Sequence, residues 1–149
     1  MRVGKTGFDE AYRAVREYRE RYPEKAVTFH SQQYPVYGWA ILMAGGSLAN
    51  VPIHADATDP LQRQLLHVLP TMTPLDGEGC VALGNDQSGY LIYIRDSHLS
   101  LPIAPGKYTI HTVDARNGEI TLTSKASVLE NVFERSDVKP HTILWLRKK

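Results

Sequence analysis

The chain has 149 residues, 17 Lys and Arg against 16 Asp and Glu, a formal net charge of +1 and one cysteine. So balanced a charge gives no electrostatic case for nucleic acid or an anionic membrane as partner, and a single cysteine excludes an internal disulfide, a zinc ribbon and a CxxC redox pair. A chain of this size buries roughly 68–70% of its unfolded surface, so a core needs no metal or disulfide staple. No apolar run approaches the ~18–20 residues that span a bilayer, and the opening MRVGKTGFDE lacks an apolar signal-peptide core. A secreted parent stays open if this start is internal to a longer chain.

Phe8, Ala11, Tyr12, Val15, Tyr18 and Tyr22 recur at helical spacing and predict a helix over 7–22. Asp9 and Glu10 near its start and arginines in its second half suit the helix dipole. Pro23 stops it. Residues 26–30, with Val27, Thr28 and Phe29, read as a short strand, so helix, tight link and strand make half of a βαβ repeat. After a polar loop over 31–35, residues 37–44 are apolar almost all round and read as a buried helix. Gly45-Gly46 ends it, because glycine tolerates the left-handed cap. One short strand is expected within 48–53. Asp59-Pro60 is a helix start, with Asp as cap and Pro at the first helical position. Leu61, Leu65, Val68 and Leu69 form the inner stripe of that helix, and Pro70 closes it.

Residues 71–79 read as a linker. Beyond it, strands are expected at 80–83, 90–95, 99–103, 107–114, 119–124 and 142–147, with one more near 126–129 in an otherwise charged loop over 125–139. Turn residues separate them, and Asn117-Gly118 is the strongest hairpin signal. Tyr108, Ile110 and Thr112 alternate with Thr109, His111 and Val113, the pattern of half-buried antiparallel strands. Six or seven such strands predict a small β-sandwich. The expected fold class is α+β: a helix-rich segment over 1–72, then an antiparallel β-sandwich over 73–149.

Chemistry is sparse. His30, His54, His67, His98, His111 and His141 show neither HxH nor HExxH spacing, so no metal site is expected. GxGxxG, GxxxxGK[ST] and GxSxG are all missing from the sequence, and no cofactor is expected. Cys80 opens a strand with no base nearby in sequence and reads as structural. Tyr34, Tyr37 and Trp39 cluster beside Pro35. Such rings stack on the apolar C–H faces of sugars, or else pack together as core. Tyr90, Tyr93, Tyr108 and Trp145 read as core or sheet-face packing. Glycoside hydrolysis needs two carboxylates flanking the scissile bond. Asp9, Glu10, Glu17, Glu20 and Glu24 lie on a solvated helix or its exit, and the strand exit His30-Ser31-Gln32-Gln33 holds none.

The run KAVTFHSQQYPVYGWAILMAGGSLANVPI resembles the last part of the (β/α)8 barrel of bacterial apiosidase-like glycoside hydrolases, in which a strand precedes an LMAGG helix and the final barrel strand. The block GYLIYIRDSHLSLPIAPGKYTIHTVDARNGE resembles their C-terminal β-sandwich, a domain that often carries a collagen-binding label. Together the resemblance covers residues 7–148. It implies partial barrel-like βα units ahead of the sandwich, and a parent that is often secreted or periplasmic. A whole barrel needs about 250 residues, so the chain is a fragment, a decayed relative, or one that completes its fold by dimerising. Where the family's nucleophile is expected, at a late strand exit, His30 to Gln33 are neutral.

The resulting expectation is a non-catalytic, carbohydrate-associated accessory region of a glycoside-hydrolase-like protein, with no catalytic residues of its own. Its expected partners are a glycan, a barrel domain of a longer chain, or a second copy. The expected binding residues are His30, Gln32, Gln33 and Asn50, whose polar groups pair with hydroxyls, with Tyr34, Tyr37 and Trp39 alongside. Two alternatives stand. One is a glycoside hydrolase active only within a longer chain or oligomer, using Asp56 or Asp59. The other is an interaction module that docks through open strand edges.

Overall fold

The computed structural model describes residues 7–25, 36–46, 51–53 and 58–149. The chain forms two compact units, Met1–Pro52 and Ile53–Lys149. The division expected at 72/73 falls inside the second unit.

The first unit holds α1 (Gly7–Arg21) and α2 (Val36–Met43). Phe8, Ala11 and Val15 give α1 its buried stripe. Val15 packs with Ile41 and Ala44, and Tyr12 lies against this group. The expected stripe extended to Tyr18 and Tyr22, but these are 45% and 41% exposed. Their rings meet each other at 4.8 Å instead, and the Lys25 ammonium sits 5.5 Å from the Tyr22 ring. The end of α2 is a Schellman motif. Gly45, at φ 85°, donates its N–H to the Leu42 carbonyl, and the Gly46 N–H reaches the Ile41 carbonyl. The Gly-Gly pair therefore caps a helix, as its chemistry implies. The strand expected at 26–30 lies outside the described residues, as do residues 48–50 of the next one. Residues 51–53 are not strand, although Val51 and Ile53 are buried.

The second unit begins with α3 (Pro60–Val68), continued by a 3-10 turn over Leu69–Thr71. Asp59 has extended backbone and its Oδ1 accepts the Leu61 N–H at 2.9 Å, as an N-cap should. Eight strands follow: β1 (Thr73–Asp76), β2 (Cys80–Asn85), β3 (Gly89–Ile94), β4 (Leu99–Pro102), β5 (Gly106–Val113), β6 (Ile120–Val128), β7 (Val132–Arg135) and β8 (Ile143–Lys148). Six form one sheet in the order β1-β2-β3-β8-β5-β6, and β4 pairs with β7 in a second. Every named pairing is antiparallel. The fold is thus α+β, with a few helices ahead of antiparallel sheets.

The structure departs from the sequence expectation at three strands. β1 occupies the expected linker. Pro74 is compatible with it because β1 is an edge strand, where a missing N–H breaks no ladder. β6 runs on to Val128 as one strand, past a bulge opposite Ile110/His111 that lets it continue without keeping strict alternation. β7 arises inside the expected charged loop, with Phe133 as its one buried residue. The β5–β6 turn falls at the expected place but is wider than a two-residue hairpin. Asp114 Oδ1 accepts the Arg116 N–H, Asn117 Oδ1 accepts the Glu119 N–H, and only Gly118 takes positive φ. Gly89, at φ 104°, cannot be replaced quietly, since a methyl there would collide with the Leu146 carbonyl.

The two sheets close on one apolar layer. Ala82, Tyr90, Ile92, Tyr108, Ile110 and Leu146 of the large sheet meet Leu99, Leu101 and Phe133 of the small one. Side chains of this size each contribute roughly 1.5–3 kcal/mol when fully buried. Two phenols pin its rim. Tyr90 donates to Asp86 at 3.0 Å and accepts the Ala104 N–H at 3.0 Å, while Tyr108 donates to the Ala104 carbonyl. Burial pushes the Tyr108 phenol up to about 12, with Tyr90 and Asp86 adding to the effect, so it remains a donor. The opposite face carries Leu83, Leu91, Tyr93, His111, Val113, Ile143 and Trp145, all buried. The edges differ. β1 is four residues long and contains Pro74, whereas β6 is nine residues long and mostly exposed.

Candidate functional site

The second face of the large sheet holds a concavity. Helix α3 crosses this face. Near its start, Gln62 Nε2 donates to the Gly118 carbonyl at 2.7 Å, beside the β5–β6 turn. Past its end, the Thr71 carbonyl accepts from Asn85 Nδ2 at 2.9 Å, beside the β2–β3 turn. The helix is held at both ends, and a cleft of about 560 Å³ remains between it and the sheet.

Each wall follows from local chemistry. Strand alternation puts Trp145 and Arg147 of β8 on one face with His111 of β5, because Trp145 pairs directly with His111. Arg63, Gln64 and His67 recur at helical spacing on α3 and line the other side. The β2–β3 turn contributes Gln87 and Ser88. Asn85 fixes them, since its Oδ1 accepts both their N–H groups, at 2.9 and 2.7 Å. Lys148 donates to the Asp86 carbonyl at 2.7 Å and holds the same turn against β8.

The layer beneath the cleft is electrostatically unusual. Trp145 is 1% and His111 4% exposed, with ring centroids 5.3 Å apart. Neither ring nitrogen of His111 nor Nε1 of Trp145 has a hydrogen-bond partner. Leaving such a group unpaired costs roughly 1–3 kcal/mol. Burial first, and then the Arg147 guanidinium, holds the His111 imidazole below its ordinary range. The Arg147 guanidinium itself lies 6.0 Å from the Trp145 ring centroid. Among the described residues no Asp or Glu lines the cleft, so the two flanking carboxylates that glycoside hydrolysis needs are not found among them there. Asp59 is engaged as a helix cap, and Asp56 lies outside the described residues. Among the described residues, no three of His, Cys, Asp and Glu stand close enough to hold a metal ion. Cys80 is buried, and burial pushes its thiol up to about 11, which removes its nucleophilic form. No described helix is long and apolar enough to cross a membrane.

Of the residues expected to bind from sequence, His30, Gln32, Gln33, Tyr34 and Asn50 lie outside the described residues, as does the side chain of Tyr37. Trp39 lies in α2 and is 1% exposed. The sequence reading did not bring together Gln64, His67, Gln87, Ser88 and Arg147; it read Trp145 as packing, and Trp145 is 1% exposed. The available signal was the Ile143-x-Trp145-x-Arg147 alternation. It places a cation and an indole on one face of a strand.

A family described as a domain of unknown function, DUF6298, matches residues 1–65. No curated protein matches the chain. Among solved structures, one titled "Glycoside hydrolase" is similar over 100% of this chain and 50% of its own, with a TM-score of 0.58 at 11% identity. A glycoside hydrolase family 5 protein from Bacteroides vulgatus is matched over 75% of this chain and 35% of its own, with a TM-score of 0.46 at 11% identity. The chain thus spans about half the length of the first of these. At such identity the likeness to the first is one of fold alone.

Proposed function

We propose that this chain is a non-catalytic, carbohydrate-associated region of a glycoside-hydrolase-like protein, and that the cleft under α3 contacts the sugar. In this reading the N-terminal helices are the last βα units of a barrel supplied by a longer chain, as in the apiosidase-like branch, and the sheets form its accessory domain. The observation that carries it is the lining of the cleft. Amide, imidazole and hydroxyl groups of Gln64, His67, Gln87 and Ser88 surround a tryptophan, with no carboxylate among them. Sugars are bound by such polar groups meeting hydroxyls, and Trp145, 1% exposed, closes the cleft from below rather than stacking on a ring. The similarity to the glycoside hydrolase structure supports the same reading at the level of fold.

Affinity electrophoresis of the full chain in gels cast with xylan, galactan, mannan or polygalacturonate tests it. At least one polysaccharide is expected to retard the chain, and Gln64→Ala with His67→Ala, both on exposed α3 positions, to abolish the retardation with the circular dichroism spectrum unchanged. Free migration in all four gels would overturn the proposal. Hydrolysis of aryl-glycosides by this chain would overturn its non-catalytic part.

A further inference from the structure

A second concavity lies on the same face of the large sheet, where β5, β6 and the end of β8 meet. Its volume is about 230 Å³, and Lys107, Lys125 and Lys149 line it together with Ser127. The register explains the convergence. Thr109 pairs with both Lys125 and Arg147, so residues 107, 109, 125, 127, 147 and 149 share one sheet face. The Lys149 N–H donates to the Lys107 carbonyl at 3.0 Å and draws the end of the chain over this corner. All three lysines are exposed, and none forms an ion pair among the described residues. Among the described residues no Asp or Glu side chain lines the concavity. In a chain whose formal net charge is only +1, three ammonium groups meeting at one corner is a local excess, not a generally basic surface.

The repulsion leaves a trace. The Lys149 ammonium is held below its ordinary range, foremost by Lys125, next by desolvation and last by Lys107. An oxyanion seated among the three would remove that repulsion and accept from several donors at once. The charge also continues inward. Arg147 stands on β8, two strand spacings from Lys125 on β6, a distance of about 10 Å. A row of cations therefore links the cleft under α3 to the lysine corner.

We propose that the lysine corner is an oxyanion site and that the sugar chain in the cleft bears acidic groups, either uronate carboxylates or sulfate esters. The inference rests on the carbohydrate reading above and names the substrate class for it. Neutral units lie over the cleft, and an acidic unit further along the same chain docks at Lys107, Lys125 and Lys149. No bond is made or broken.

Isothermal titration of the full chain against polygalacturonate, dextran sulfate, neutral dextran and poly-glutamate tests the inference, repeated with Lys125→Gln/Lys149→Gln. These positions are exposed, so the variant keeps the fold. The expected result is binding to polygalacturonate or dextran sulfate at least tenfold tighter than to neutral dextran, weakened by salt and lost by about tenfold in the variant. The stronger of the two ligands assigns carboxylate or sulfate. Binding to neutral dextran alone, unchanged in the variant, overturns the inference and leaves the carbohydrate reading standing. Equal binding of poly-glutamate, lost in the variant, overturns the carbohydrate reading and leaves the oxyanion site standing. Failure to bind any of the four overturns the inference, and retardation in the xylan, galactan or mannan gel then decides the carbohydrate reading separately.

Discussion

The two faces of the large sheet are built from the same strands and differ in kind. One closes against β4 and β7 on aliphatic and aromatic side chains, and its few polar atoms, the Tyr90 and Tyr108 hydroxyls, are hydrogen-bonded. The other buries an imidazole and an indole whose nitrogens have no partner, with cations nearby. A face that served stability alone would favour the first arrangement, because an unpaired buried donor lowers stability. The contrast separates a face whose polar atoms are all paired from one that, in the proposed reading, lies beneath the sugar-contacting cleft.

Mutations on the closed face sharpen the contrast most. Phe133→Ala empties a site at the junction of the two sheets, where Phe133 is 1% exposed. It is expected to cost about 3–5 kcal/mol in denaturant unfolding, and a loss below 1 kcal/mol would break the assignment of this layer as the core. Tyr90→Phe leaves the Ala104 N–H and the Asp86 carboxylate without the phenol oxygen. Its expected cost is about 1–3 kcal/mol, measured in the same way. Asp59→Ala removes the cap that starts the helix over the second face. It should cost about 1 kcal/mol, with helical signal lost more than strand signal.

The smallest effect concerns His111. Its imidazole titrates lower in the folded chain than in the unfolded one, because burial and Arg147 disfavour the proton. The folded state therefore binds fewer protons. The stability from this group is complete above about pH 6.5, the unfolded value, and declines as pH falls below it. His111→Phe should flatten that part of the pH profile of unfolding while leaving the slope above pH 7 unchanged. An identical profile in the variant would show that the second face is not sensitive to this proton.

Much of the architecture was readable where local chemistry and tertiary structure agree. Asp59-Pro60 starts α3, Gly45-Gly46 ends α2, and the alternation through Tyr108 and Ile110 marks β5. Where they diverge, the sequence misled. β1 contains Pro74 beside a glycine-rich stretch, which reads as linker until the strand is placed at an edge. The exposed middle of β6 offers no apolar alternation because both sides of that stretch meet solvent. The cleft was harder still. Its residues come from a helix, a turn and a strand, and only the pairing of Trp145 with His111 reveals the shared face. Nothing in single-sequence periodicity encodes that register.

The unequal borders of the large sheet set how it could ever be extended. On the β1 side, a short run with a proline offers an incomplete row of donors. On the β6 side, nine residues offer a long one. A visiting strand would find a full template only there. Two copies meeting at that border would use up the good side of each. Such growth would terminate at a pair rather than propagate into a fibre.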